Sequence, residues 1–135
     1  MAKTSLKHNQ LQYQCHQWLW NEHPELRYLS HANINNLTTE TPDARFKMAK
    51  LKSIGLVKGV LDYELYYRKT LYVFDFKVGH DKLSKEQKEF INKIEENGGK
   101  AYEIRDLETF KEIITSILSD SRPSYEPDYV KHELL

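Results

Sequence analysis

The chain has one cysteine, Cys15, so no internal disulfide can form, and a reducing, cytoplasmic location is expected, the host cytoplasm for a viral protein. With only 4 prolines and 5 glycines in 135 residues, the composition excludes a linker-rich array, a collagen-like chain and general disorder. No window reaches the ~18 continuous apolar residues of a membrane helix. The opening Met1-Ala2-Lys3-Thr4-Ser5-Leu6-Lys7 also lacks the apolar run of a signal peptide. A soluble protein without membrane contact is therefore expected. Lys+Arg and Asp+Glu number 20 each, so the total charge gives no attraction to nucleic acid or anionic lipid, and only local patches can do so. No internal repeat or low-complexity tract is evident.

What is present suits one compact α/β domain: 39% apolar residues can build a core, and 30% charged residues can coat it. Leu11, Cys15, Trp18 and Leu19 recur at helical spacing within Ser5–Asn21, with Thr4 or Ser5 as the expected cap. His8 and Gln12 fall on that stripe and should point inward. Trp18 shares the stripe, whereas Trp20 lies off it. Leu26–Ser30 has strand composition, and the polar run that follows reads as a loop. Thr41-Pro42 and Gly55 bracket a second helix, Pro42–Ile54.

Val60–Tyr67 and Leu71–Val78 are rich in β-branched and aromatic residues and read as a hairpin around Arg68-Lys69-Thr70. Ser84-Lys85-Glu86-Gln87 has capping-box spacing, and Gln87, Phe90, Ile91 and Ile94 then share a helix face up to Gly98-Gly99. A strand Ala101–Ile104 and a helix capped by Asp106, with Leu107, Phe110, Ile113, Ile114, Ile117 and Leu118 inward, complete the order αβαββαβα. The strand–helix–strand unit over Leu71–Ile104 predicts a parallel pair in a mixed sheet.

The hairpin carries the chemistry. A two-residue Arg68-Lys69 loop pairs positions 67 and 70, and counting back sets Asp62 opposite Asp75. Facing carboxylates repel, so the site calls for a cation or a raised pKa. Two carboxylates with a backbone carbonyl and waters suit Mg²⁺ or Mn²⁺, and no Cys/His set with zinc spacing exists. Lys77 projects from the same face as Asp75, where its ammonium can orient a water or neutralise charge at phosphorus. Ordinary sheet chemistry is the other reading: Asp62 ends a turn after Gly59, and Asp75 pairs with Lys77 on an exposed face.

Taken together, Ala49-Lys50-Leu51-Lys52-Ser53-Ile54-Gly55, Gly59-Val60-Leu61-Asp62, Val73-Phe74-Asp75-Phe76-Lys77 and Leu83-Ser84-Lys85-Glu86-Gln87 resemble the VRR-NUC domain of the PD-(D/E)xK nuclease superfamily. The likeness runs from the first helix, through Leu11-Gln12, Cys15 and Trp18, to about Leu118. It implies a restriction-endonuclease-like fold over residues 1–118 and a homodimer that cuts branched DNA such as Holliday junctions, while residues 119–135, whose composition turns to Ser, Pro, Asp and Tyr without helical period, are expected to be an extended tail. It also implies Asp62, Asp75 and the Phe76 carbonyl as metal ligands, Lys77 as the catalytic lysine, and Gln87 as the helix glutamine beside them. Asp75 stands where the family usually has Glu, and Leu61 where Pro is frequent. His8 stands where the family's first-helix Glu is expected. His8 is thus a substitute ligand or a hydrogen-bonded histidine, with a water or Glu64 filling in, or else the protein is a weak or inactive relative.

From Ala44 to Leu61 the chain has five bases, Arg45, Lys47, Lys50, Lys52 and Lys58, and no acid, a candidate phosphate-binding surface leading into Asp62. Gln12 is counted with them on the DNA side. Lys82, Lys85 and Lys88 form a second patch, and His31 with Asn33, Asn35 and Asn36 occupies a polar loop.

Overall fold

The computed structural model describes residues 2–33, 42–55 and 57–120. The elements are α1 (Ala2–Glu22), a 3-10 turn (Pro24–Leu26), β1 (Ser30–Ala32), α2 (Pro42–Ser53), β2 (Tyr63–Tyr67), β3 (Thr70–Phe76), α3 (Lys85–Glu96), β4 (Lys100–Ile104) and α4 (Leu107–Leu118). The strands form one sheet in the order β1-β2-β3-β4, antiparallel except for the parallel β3–β4 pair. A mixed sheet flanked by helices is thus the architecture. The expected loop residues 34–40, including Asn35 and Asn36, lie outside the described residues, as do Thr41, the expected cap of the second helix, and the tail from 121 onward.

The core fills the space between one sheet face and the pair α1 and α4. Leu11, Cys15 and Leu19 of α1 meet Tyr63, Leu65, Phe74 and Phe76 of the strands and Phe110 and Ile114 of α4. Phe110 is its centre, with ring centroids 5.4 Å from Phe74, 6.0 Å from Phe76 and 6.4 Å from Tyr63. Burial pushes the Cys15 thiol up to about 12, so it is an inert core group. Trp18 packs against the core and Trp20 is exposed.

The hairpin turn is the two-residue Arg68-Lys69 loop. Both residues have positive φ, 47° and 67°, the twist that closes a tight antiparallel hairpin. Tyr67 pairs with Thr70 and Tyr63 with Phe74, which fixes the register. The loop from β3 to α3 is tied to the end of β4 by Arg105, whose guanidinium donates to the carbonyls of Gly79 (3.1 Å) and Asp81 (2.7 Å).

Two expectations fail. The first helix starts at Ala2, so Thr4 and Ser5 lie inside it and neither is the cap. The strand predicted for Leu26–Ser30 is instead a 3-10 turn followed by Tyr28 at φ 74°, with β1 beginning only at Ser30. Pro24 starts that turn, and the amide of Leu29 donates to the carbonyl of Leu26 (3.0 Å), so the chain bends while burying Leu26. The apolar face predicted for α3 is only half-buried, because this helix packs mainly on β4.

Candidate acidic centre at the end of the hairpin

Side chains alternate along β3. Tyr72, Phe74 and Phe76 join the core, which leaves Asp75 on the opposite side, where α3 reaches it. Asp75 is 1% exposed. One step beyond the Tyr63–Phe74 pair, the register brings Asp62 opposite Asp75. Asp62 is also buried, and its Oδ2 accepts a hydrogen bond from the Phe76 amide (2.8 Å) and lies 3.0 Å from His8 Nε2.

The backbone around Asp62 is held on two sides. Asn33 donates its amide N–H to the Asp62 carbonyl (2.8 Å) and its side-chain Nδ2 to the Leu61 carbonyl (2.9 Å). Gly59, at φ 98°, lies against the first turn of α3, where a Cβ would meet the Glu86 carbonyl oxygen at 2.5 Å. Only glycine allows that approach, and it brings the Asp62 segment to the helix that carries Gln87.

Gln87 joins the remaining groups. Its Nε2 donates to Asp75 Oδ1 (3.2 Å), and its Oε1 accepts from Lys77 Nζ (3.3 Å) and from the Ser84 amide (2.9 Å). The Ser84 hydroxyl in turn accepts from the Gln87 amide (3.1 Å), which completes the capping box. Gln87 therefore caps α3 and faces the carboxylates at once. Lys77 Nζ stands 2.9 Å from Asp75 Oδ2 as an ion pair. Asp75 Oδ2 is thus a buried acceptor that faces the Lys77 ammonium.

The two acids titrate in opposite directions. Burial, then the neighbouring Asp62 charge, pushes Asp75 up to about 6 against the pull of Lys77. Burial also opposes the Asp62 charge, but hydrogen bonds from His8 and the Phe76 amide outweigh it and hold Asp62 below its usual range. Its hydrogen bond to Asp62 raises His8 in turn, more than burial lowers it. Without a cation, the charges on Asp62 and Asp75 are thus balanced by His8 and Lys77.

Among the described residues, no group of three or more His, Cys, Asp or Glu side chains is set to hold a metal unaided. A cation here would draw on Asp62, Asp75, backbone oxygen and water. Strand geometry sends the Phe76 carbonyl to the edge its N–H uses, the edge of Asp62. The oxygen-only donor set, with two buried carboxylates side by side, fits a hard divalent cation. His8 hydrogen-bonds to a carboxylate here, and Glu64 is engaged by His31 (3.0 Å).

The remaining predicted residues lie apart. Arg45, Lys47, Lys50 and Lys52 are exposed on α2. Lys58 is 71% exposed and 3.4 Å from Glu86, which offsets part of its charge. Lys82, Lys85 and Lys88 are exposed, and Gln12 is half-buried on a groove beside α1. The sequence reading did not find Asn33 as the backbone anchor of Asp62 or Gly59 as the close contact to α3. Asn33 had only ordinary loop chemistry as a signal, whereas a glycine three residues before a buried acid was a usable one.

Compared with known proteins, the chain matches no family model, no curated protein and no solved structure. The VRR-NUC likeness accordingly rests on the residues quoted for it.

Proposed function

We propose that this protein is a divalent-metal-dependent endodeoxyribonuclease acting on branched DNA such as Holliday junctions, with the restriction-endonuclease-like fold of the VRR-NUC domain. The observation that carries the reading is Asp75: a buried carboxylate beside Asp62, with the Lys77 ammonium 2.9 Å from one oxygen and the Gln87 amide on the other. A structural site would have little reason to bury two neighbouring acids at a cost in charge repulsion.

Asp62, Asp75 and the Phe76 carbonyl would hold Mg²⁺ or Mn²⁺, which supplies phosphate polarisation and an acidified water when bound. Lys77 has three ammonium protons, with Asp75 and Gln87 as its near neighbours. It can direct another proton at the attacking water or at a non-bridging phosphate oxygen. Gln87 fixes the height of that ammonium through its own cap. The bases of α2 would hold backbone phosphates, and two copies of the chain would let paired sites cut both strands of a junction.

A second reading, a DNA-structure-binding protein with weak or no cleavage, is favoured by the His8–Asp62 hydrogen bond of 3.0 Å. A protonated imidazole there competes with a cation for Asp62. Incubating labelled four-way, flap and linear DNA with Mg²⁺, Mn²⁺ or EDTA separates the two. Cleavage is expected with metal only, with junctions preferred, and with a loss of at least about 100-fold in Asp75→Ala and in Lys77→Ala. Junction binding without cleavage by any of the three proteins would replace the nuclease reading with the second one.

A further inference from the structure

Helix α1 has a second, partly exposed stripe beside its core stripe. Asn9, Gln12, Tyr13, His16 and Trp20 line a groove of about 640 Å³ whose other wall is β1 with Asn33, and Tyr63 forms part of its lining. The groove is open to solvent on one side and large enough to seat a flat ring against its wall. Its rings are preset: His16 Nδ1 lies 2.8 Å from the Tyr63 hydroxyl, and the His16 and Trp20 rings are 5.7 Å apart. Arg27 steadies the outer end, donating to the Trp20 carbonyl (3.0 and 2.8 Å) with its guanidinium 4.6 Å from the indole centroid.

Among the described residues the lining contains aromatic rings, amides, imidazoles and hydroxyls, and the Arg27 guanidinium beside it is engaged at Trp20. Such a wall suits a flat, uncharged group with hydrogen-bonding edges better than a phosphate. Gln12 and Tyr13 make no side-chain hydrogen bond among the described residues and are open to a ligand. The groove also adjoins the acidic centre through two of its lining residues. Asn9 follows His8 in sequence, with its Oδ1 3.5 Å from His8 Nδ1, and Asn33 holds the backbone of Asp62.

We propose that this groove binds an unpaired nucleobase of a DNA strand whose backbone crosses the Asp62–Asp75 centre, stacking it on Tyr13 or Trp20 and reading its edge with Gln12 or Asn9. The strand's path rests on the nuclease reading. Base capture itself does not, and it is tested without metal. Such a pocket would select junctions or flaps, where bases can leave the stack, over intact duplex.

The test is fluorescence anisotropy in EDTA with a labelled single strand of about ten nucleotides and its abasic counterpart, for wild type, Tyr13→Ala, Gln12→Ala and Asp75→Asn. Tyr13 is 64% exposed, so its truncation leaves the fold intact. Wild type and Asp75→Asn should bind the normal strand about 10-fold more tightly than the abasic one, while Tyr13→Ala and Gln12→Ala lose most of that preference. Equal affinity of wild type for both strands, or a preference unchanged in both groove variants, overturns the proposal. A wild type that cleaves DNA without base preference refutes the groove alone. One that shows base preference without cleavage refutes the nuclease reading alone.

Discussion

Along β3, Tyr72, Phe74 and Phe76 meet the apolar core while Asp75 turns toward α3, and the two sides of the strand are held by different forces. On the core side, aromatic rings exclude water from one another around Phe110, and each buried ring contributes stability in proportion to the area it hides. On the other side a carboxylate is buried at a cost, steadied by one amide and one ammonium and pushed up to about 6. The comparison separates the parts of this protein that make it fold from the part that folding must carry. A stable scaffold is what allows a destabilised carboxylate to persist at a fixed position.

The largest effect is expected on the core side. Phe74→Ala removes a fully buried ring that packs on Phe110 and Tyr102, and should cost about 3–5 kcal/mol in urea unfolding. A loss below about 1 kcal/mol would mean that the core does not have the packing described.

Asp75→Asn tests the opposite sign on the other face. The folded protein keeps the Asp75 proton up to about pH 6, whereas the unfolded chain releases it near 3.8. Stability from this group therefore falls as pH rises through that window. The asparagine variant should flatten that fall and gain about 1–3 kcal/mol over wild type at pH 7 in EDTA. His8, with its pKa raised above 6.5, adds a further loss as pH climbs beyond that value. Asp62 acts in reverse, losing its contribution as pH drops below 3.8. Unfolding free energies measured from pH 4 to 8 on both proteins check these signs, and an unchanged slope between 4 and 6 would erase the contrast between the faces.

The smallest effect is expected at the cap. Ser84→Ala removes the hydroxyl that accepts the Gln87 amide and should cost about 1 kcal/mol. If Gln87 depends on the cap for its aim at Asp75, metal-dependent cleavage will fall by more than this stability loss explains.

Much of this centre is legible locally. The period of two along each strand and a two-residue turn suffice to set Asp62 against Asp75, and Ser84-x-x-Gln87 marks both a helix start and an inward amide. The bend at Pro24–Leu26 is not legible, because short apolar runs do not show whether the chain extends or turns to bury one leucine. The His8–Asp62 bond spans 54 positions and depends on how α1 lies across the sheet. No local rule reaches that far.

By itself, then, the sequence determined the element order, the parallel β3–β4 pair, the hairpin register and hence which acids oppose each other, since these follow from periodicity and turn chemistry within a few residues. Tertiary structure decided what those acids are. Burial beneath α3, the reach of His8 from α1 and the close contact of Gly59 with Glu86 make one carboxylate hold its proton up to about pH 6 and the other release it below its usual range. The reason is physical: ionisation depends on the water removed and the charges brought near, and both are set only when distant segments pack.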